Sequence, residues 1–352
     1  MSLTLSRRKF LRNVGLLSAA YQLPFHSALA LAQSKTISAT TYPGAWETAQ
    51  RSIVLPVFGK ATGGSVNLVP TLAVDAVSKV IASRANPPYD VLLLDEGPYL
   101  DALPHDIFEK IPVDKIPNLR DVPTKLQDPR GFGAFISGQI IGIAYNTEKI
   151  KKPPTSWNDL LKPEYKGRIG IAGMASTLMT AWMVEIARLN GGSEENLDPA
   201  FKFVQKMLPN VSAVVESPGA LATLFQQGQI DISIHYNNNV GDLQSKGVPV
   251  ALAKPDTGWI YIRSCLHIIK NTKNPDLAAA YINAALAPEV QTKMAAAPYF
   301  LAPVSSKAAF SPGLQVYAKN IADIASMNVV DWAKLNPLRV GYIDRFNREV
   351  KV

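Results

Sequence analysis

Apolar positions along this chain follow two rhythms that take turns. Short runs rich in Val, Ile and Leu read as strands: Ile37–Thr41, Val66–Leu68, Val91–Leu94, Ile140–Tyr145, Ile169–Ile171, Ile232–Tyr236, Val250–Ala253 and Ile260–Ile262. Between them, apolar residues recur every three to four positions over Ala73–Ser83, Thr177–Leu189, Pro199–Lys206, Gly219–Gln226, Pro275–Ala285 and Pro288–Ala295, which predicts helices. Such alternation predicts an α/β fold with mostly parallel sheets flanked by helices. Two β-type runs, Gly138 to Asn146 and Gly258 to Ser264, sit where the chain would cross between domains. If both cross, one domain is discontinuous and the other is inserted.

The amino-terminal 32 residues have a different pattern. Ser6-Arg7-Arg8-Lys9-Phe10-Leu11-Arg12 precedes an apolar stretch, Val14 to Leu23, and small-residue sites at Ala28-Leu29-Ala30 and Ala30-Leu31-Ala32. A basic start, an apolar middle too short to span a bilayer as a mature helix, and an A-x-A end describe a twin-arginine export signal cleaved near Ala32. The mature protein is then expected in the periplasm. No later stretch reaches the roughly 18 uninterrupted apolar residues of a membrane helix.

Losing residues 1–32 removes Arg7, Arg8, Lys9, Arg12 and no acid, so Lys+Arg falls from 36 to 32 against 28 Asp+Glu and the net charge from +8 to +4. That excess is mild, and no basic run interleaved with aromatics suggests a nucleic-acid groove. Cys265 is the only cysteine, which excludes an intramolecular disulfide, and its apolar surroundings predict a buried structural thiol. The histidines are separated and show no metal-ligand spacing, so no metal or other cofactor is expected. In residues 33–352 GxSxG and SxxK motifs are also absent, which argues against a periplasmic hydrolase.

Several segments, in order, carry a resemblance: Tyr89-Asp90-Val91, Leu94-Asp95-Glu96-Gly97, Ile140–Asn146, Ser156-Trp157-Asn158-Asp159-Leu160-Leu161, Lys166-Gly167-Arg168-Ile169, Gly228-Gln229-Ile230-Asp231-Ile232, Lys273 to Ile282, and Pro303-Val304-Ser305. The chain resembles bacterial extracellular solute-binding proteins of ABC importers, in the branch that includes spermidine/putrescine and ferric-iron binders. The resemblance implies a two-lobed periplasmic binding protein of the type II kind, its two sheets joined by a two-strand hinge and closing on a ligand. With the crossings above, lobe 1 would comprise 33–142 plus 263–352, and lobe 2 would be 143–262.

In open α/β sheets ligands sit beyond the carboxyl ends of strands, which fixes where to look for ligand-reading residues. Trp259, Tyr261 and Arg263 share one face of the second crossing strand by period two, leaving Ile260 and Ile262 for the core. In polyamine binders the positions aligned with Tyr261 and Arg263 hold an aromatic and an aspartate. Arg263 would repel a polyamine and could grip a carboxylate, phosphate or phosphonate through its fork, unless it is simply a salt-bridged hinge residue. Ser176 or Thr177 would cap the Thr177–Leu189 helix and open an anion site there, a pure cap being the alternative. Tyr236 aligns with a ligand-stacking aromatic, and Asn237 follows it either as a contact or as a turn former. Tyr42 and Trp46 follow the first strand, where the family places lobe-one contacts, although Trp46 also fits a core. Asp95-Glu96-Gly97 ends the strand Val91–Leu94 and could neutralise an amino group, with Glu96 as the candidate contact, or the carboxylate pair could merely cap the next segment. Ferric-iron relatives use paired tyrosines, and no Tyr-Tyr pair occurs here.

The expected function is a monomeric, non-enzymatic receptor that captures a small anionic or zwitterionic solute by hinge closure and presents it to an inner-membrane ABC permease. A polyamine or ferric-iron receptor of the same fold, a periplasmic enzyme and a sensor-coupled binding protein are the alternatives.

Overall fold

The computed structural model describes residues 35–350, and the export signal read in residues 1–32 lies outside the described residues. Nine strands form the framework: β1 (Thr36–Thr41), β2 (Ser65–Pro70), β3 (Val91–Asp95), β4 (Ala134–Asn146), β5 (Ile169–Ala172), β6 (Val211–Val215), β7 (Ile232–Tyr236), β8 (Val250–Ala253) and β9 (Ile260–Ile268). Their hydrogen-bonded order is β2-β1-β3-β9-β4-β7-β5-β6, with β8 added to β4. The architecture is α/β, and its parallel parts are two: β2-β1-β3 on one side and β7-β5-β6 on the other. They meet through antiparallel neighbours at the centre, so the sheet is mixed and continuous.

β4 and β9 make that continuity. All 13 residues of β4 are buried, as a strand covered on both faces must be, and its apolar run explains why. The first part of β4 pairs with β9 up to Ile141↔Ile260, while its second part pairs with β7 from Ile141↔Tyr236 and with β8. β9 in turn carries the chain back to β3, ending at Asp95↔Ser264. Glycine permits the close β4–β9 approach. A Cβ at Gly138 would stand 2.2 Å from Tyr261 Cε2, and one at Gly142 would stand 2.5 Å from the Trp259 ring.

Two segments that carried the resemblance are local staples. Ser156 and Asp159 form a reciprocal capping box, in which Asn158 N–H donates to Ser156 Oγ (3.3 Å) and Ser156 N–H donates to Asp159 Oδ2 (3.1 Å). Asp90 accepts from Ser38 N–H (2.7 Å) and also from the Thr272 hydroxyl, tying β1 to the loop before the Pro275–Ala285 helix. Cys265 is buried, and burial pushes its thiol well up.

Four features are absent from the sequence expectation. β6 is a half-exposed edge strand without alternation, and so lacks the period-two signal. Helices Ala45–Ala49 and Leu55–Thr62 are linked by a wider turn that breaks the 3.6 period. Asn237–Ser245 is a helix although three asparagines open it. Trp332–Glu349 is an 18-residue helix that contains Pro337. Proline in a helix interior removes one backbone hydrogen bond, and here flanking side chains anchored to the rest of the protein hold the helix together.

The glycine geometry makes a prediction for stability. Gly138→Ala should lower unfolding free energy by about 1–3 kcal/mol or more through overpacking against Tyr261 and the Ile262 carbonyl. Gly341→Ala, in the C-terminal helix with nothing within 4 Å, should raise it by about 0.5–1 kcal/mol. Urea unfolding of both variants checks the pair, and equal effects would contradict it.

Candidate solute cleft

The carboxyl ends of β1, β3, β5 and β7 converge, and each delivers a polar side chain. Tyr42 follows β1. Its hydroxyl oxygen accepts from Asp95 N–H (2.8 Å), and its ring meets Trp46 edge-on at 6.3 Å. Asp95 is the last residue of β3, is 7% exposed, and accepts from Ser264 Oγ on β9 (2.8 Å). From the β5 side, Thr177 opens its helix, and its hydroxyl and that of Tyr42 lie near enough to Asp95 to favour the ionised carboxylate. Tyr236 ends β7, buried and close enough for the Asp95 charge to push its hydroxyl pKa up beyond the effect of burial.

Asp95 is the electrostatic centre of this group. Burial raises its carboxyl to about 6, against the stabilising hydroxyls of Ser264, Tyr42 and Thr177 and the charge of Arg339. A carboxylate held there is costly unless a cation joins it. Arg339 comes from the C-terminal helix. It is 7% exposed, its Nη2 donates to the Ala175 carbonyl (3.0 Å), and its Nη1 lies 3.6 Å from Asp101. Its Nε–H finds no partner among the described residues.

The residues singled out from sequence divide. Tyr42, Thr177 and Tyr236 gather around Asp95, while Glu96 turns away. Glu96 accepts from Arg263 Nε (2.9 Å) and Nη2 (2.5 and 2.6 Å), so the fork that was to hold a ligand anion is occupied by an acid of the chain itself. The pair lines an open groove of about 360 Å³ together with Arg130, Arg188, Asp331 and Trp332. Ser176 spends both its hydrogen-bonding roles on the helix start, donating to Gly173 O (2.8 Å) and accepting from Met179 N–H (3.2 Å). Asn237 is fully buried and acts as a strut, accepting from Ile140 N–H (2.9 Å) and donating to Phe300 O (2.6 Å). Trp46 belongs to the core, Trp259 packs edge-on to Tyr317 at 5.4 Å, and Tyr261 lies over Gly138. The buried Tyr261 hydroxyl has no partner among the described residues.

Two members of the cluster, Ser264 and Arg339, escaped sequence reasoning, and Asp95 entered it only as the neighbour of Glu96. Asp95 is adjacent to Glu96 in the same motif, and the one-residue difference decides which carboxylate ends the strand and which starts the helix. Ser264 follows Arg263 and so points to the opposite face. Arg339 lies beyond Pro337, in a helix whose pattern that proline hides. Neither buried histidine joins the site: burial lowers His235 to about 3 and His267 to about 4, and both stay neutral. Among the described residues no cluster of three or more His, Cys, Asp or Glu is placed to hold a metal ion.

A mixed α/β sheet with polar side chains at converging strand ends is the layout of a solute-binding protein. Residues 86–337 match the family of bacterial extracellular solute-binding proteins. The chain belongs to that family and is a solute-binding component of an ABC transporter. It is 24% identical over 283 residues to the gamma-aminobutyric acid-binding protein of Pseudomonas aeruginosa, covering 75% of this chain and 76% of that one. It is 27% identical over 146 residues, 41% of each chain, to the spermidine/putrescine-binding periplasmic protein of Escherichia coli K12. Among solved structures, an ABC transporter protein from Clostridium perfringens superposes with a TM-score of 0.72 at 26% identity, over 90% of this chain and all of that one. Among the described residues, no helix is long and apolar enough to cross a membrane.

The raised pKa of Asp95 sets a pH dependence. Because the folded carboxyl titrates near 6 and an unfolded one near 3.8, the folded state binds the extra proton between those values. Stability therefore falls as pH rises through this window and stays reduced above it. Asp95→Asn should stabilise the ligand-free protein by about 1–3 kcal/mol above pH 6, the gain shrinking as pH falls toward 4. Urea unfolding of parent and variant at pH 5 and 8 tests this, with the histidines common to both cancelling. A pH-independent difference would contradict it.

Proposed function

We propose that this chain captures a small zwitterionic organic solute, setting its ammonium group on Asp95 between Tyr42 and Tyr236. The observation that carries this reading is the buried Asp95 carboxylate, raised toward neutrality and lacking a close cation of the chain. A ligand ammonium would restore its charge, and the tyrosine rings would enclose the alkyl part. The nearby Arg339 disfavours a second ammonium, which weighs against a diamine although relatives are named for polyamines. The relative named for gamma-aminobutyric acid, a zwitterion, supports the same choice.

The chain acts as a monomeric receptor rather than an enzyme. Its lobes, 33–142 plus 263–352 and 143–262, close about β4 and β9 on the solute, and the closed form is presented to an inner-membrane permease. Closure stabilised by ligand is a biased two-state equilibrium, so affinity and closure rise together.

Isothermal titration with 4-aminobutyrate, butyrate, 1,4-diaminobutane and ferric citrate tests the ligand class. The expected result is preference for 4-aminobutyrate, with affinity falling up to about tenfold per pH unit below 6 as Asp95 takes its proton. Preference for the diamine or for ferric citrate would overturn the zwitterion reading.

Export is proposed to follow the twin-arginine route through Arg7 and Arg8, with cleavage near Ala32. Replacing both with lysine should leave the precursor in the cytoplasm, since that machinery reads the arginine pair. Unchanged periplasmic yield would count against this route.

A further inference from the structure

The C-terminal helix Trp332–Glu349 touches both halves of the molecule along one face. At its start, Trp332 packs so closely on Gly97 that a Cβ there would lie 2.7 Å from the indole, and Asn336 Nδ2 donates to Gly97 O (2.9 Å). Toward its end, Tyr342 Oη donates to Glu195 O (2.7 Å) and Arg345 pairs with Asp198 at 2.5 Å. Arg339 lies between these clasps and faces both sides, Asp101 on one and the Ala175 carbonyl on the other.

The chain satisfies this guanidinium only in part. A buried arginine normally has a close carboxylate with parallel hydrogen bonds. Arg339 has instead a single neutral acceptor, a half-exposed carboxylate at 3.6 Å, the Trp332 ring at 5.6 Å and an orphaned Nε–H. The nearby Asp95 is taken by hydroxyls. Beside Arg339 runs the start of the Thr177–Leu189 helix, where Ser176 Oγ takes the Met179 N–H and the N–H groups of Thr177 and Leu178 are not used by the helix itself. A buried, loosely paired cation with an orphaned Nε–H beside backbone donors is chemistry suited to an anion.

We propose that Arg339 is the specificity-determining anchor for the acidic end of the solute, taking a carboxylate or phosphonate against Nε and the adjacent amino groups while Asp95 holds the ammonium. This rests on the zwitterion reading and deepens it by naming the second pole. It also explains why Arg263 is free to be spent on Glu96: the anion is read from the C-terminal helix instead.

The test compares the parent, Arg339→Gln and Arg339→Lys by isothermal titration with 4-aminobutyrate, butyrate and 1,4-diaminobutane, and by melting temperature without ligand. In the parent, 4-aminobutyrate should bind at least about tenfold tighter than either single-pole probe. Arg339→Gln should weaken 4-aminobutyrate by about thirtyfold or more and leave the diamine unchanged or improved, with Arg339→Lys recovering part of the loss. Without ligand, the Gln variant should melt within about 3 °C of the parent or above it, because a poorly paired buried charge is removed. A parent that prefers 4-aminobutyrate and a Gln variant that binds it within about threefold would overturn Arg339 alone. A parent that prefers the diamine, or takes none of the probes, would overturn the zwitterion reading and the anchor together. A ligand-free Gln variant that melts more than about 6 °C lower would show that Arg339 is a structural brace, and would also overturn the proposal.

Discussion

The antiparallel ladder between β4 and β9 is the constraint on which everything else depends. Parallel strands supply the two flanking parts of the sheet, and each alone would end in an unpaired edge. Two long strands running through both halves remove those edges and fix the facing of every strand end at once. Their close approach is possible because Gly138 and Gly142 leave room for the rings of Tyr261 and Trp259. Those aromatics are therefore framework, and the polar groups of the candidate site come from the strands on either side.

Much of this framework was legible in the sequence because burial on two faces leaves a strong mark. β7, β8 and the Thr177–Leu189 and Pro275–Ala285 helices follow directly from apolar spacing. The half-exposed β6 and the C-terminal helix do not, since a solvated edge and an internal Pro337 both erase periodicity. The site was partly legible for a different reason. Strand ends are predictable, so Tyr42, Thr177 and Tyr236 could be named. Which of two neighbouring carboxylates faces the cleft depends on where a strand becomes a helix, a question of a single residue. What neutralises Arg263 depends on a residue 167 positions away in the chain, and no local pattern reports it.

The electrostatics of the cleft set stability against function. Asp95 and Arg339 are both buried, near enough to feel each other, yet neither is the other's close partner. Moving them into contact would give a quieter interior and a cleft with nothing to offer. Held apart, Arg339 keeps an orphaned Nε–H and Asp95 a carboxyl whose ionised form burial disfavours, and those two deficits are what a solute of matching length and polarity would relieve. The outward-facing Glu96–Arg263 pair shows the opposite arrangement, in which complementary charges saturate each other.

The C-terminal helix is fastened unequally. One end is seated by an indole pressed onto a glycine and by an amide donating into a backbone carbonyl. The other is held by the buried Phe346 ring, by a tyrosine hydroxyl and by an arginine–aspartate pair at the surface, of which only the ion pair is of a kind that contributes little and weakens with salt. Arg339 sits between the two fastenings, so any change in the spacing of the Gly97 side and the Asp198 side would be felt at its guanidinium.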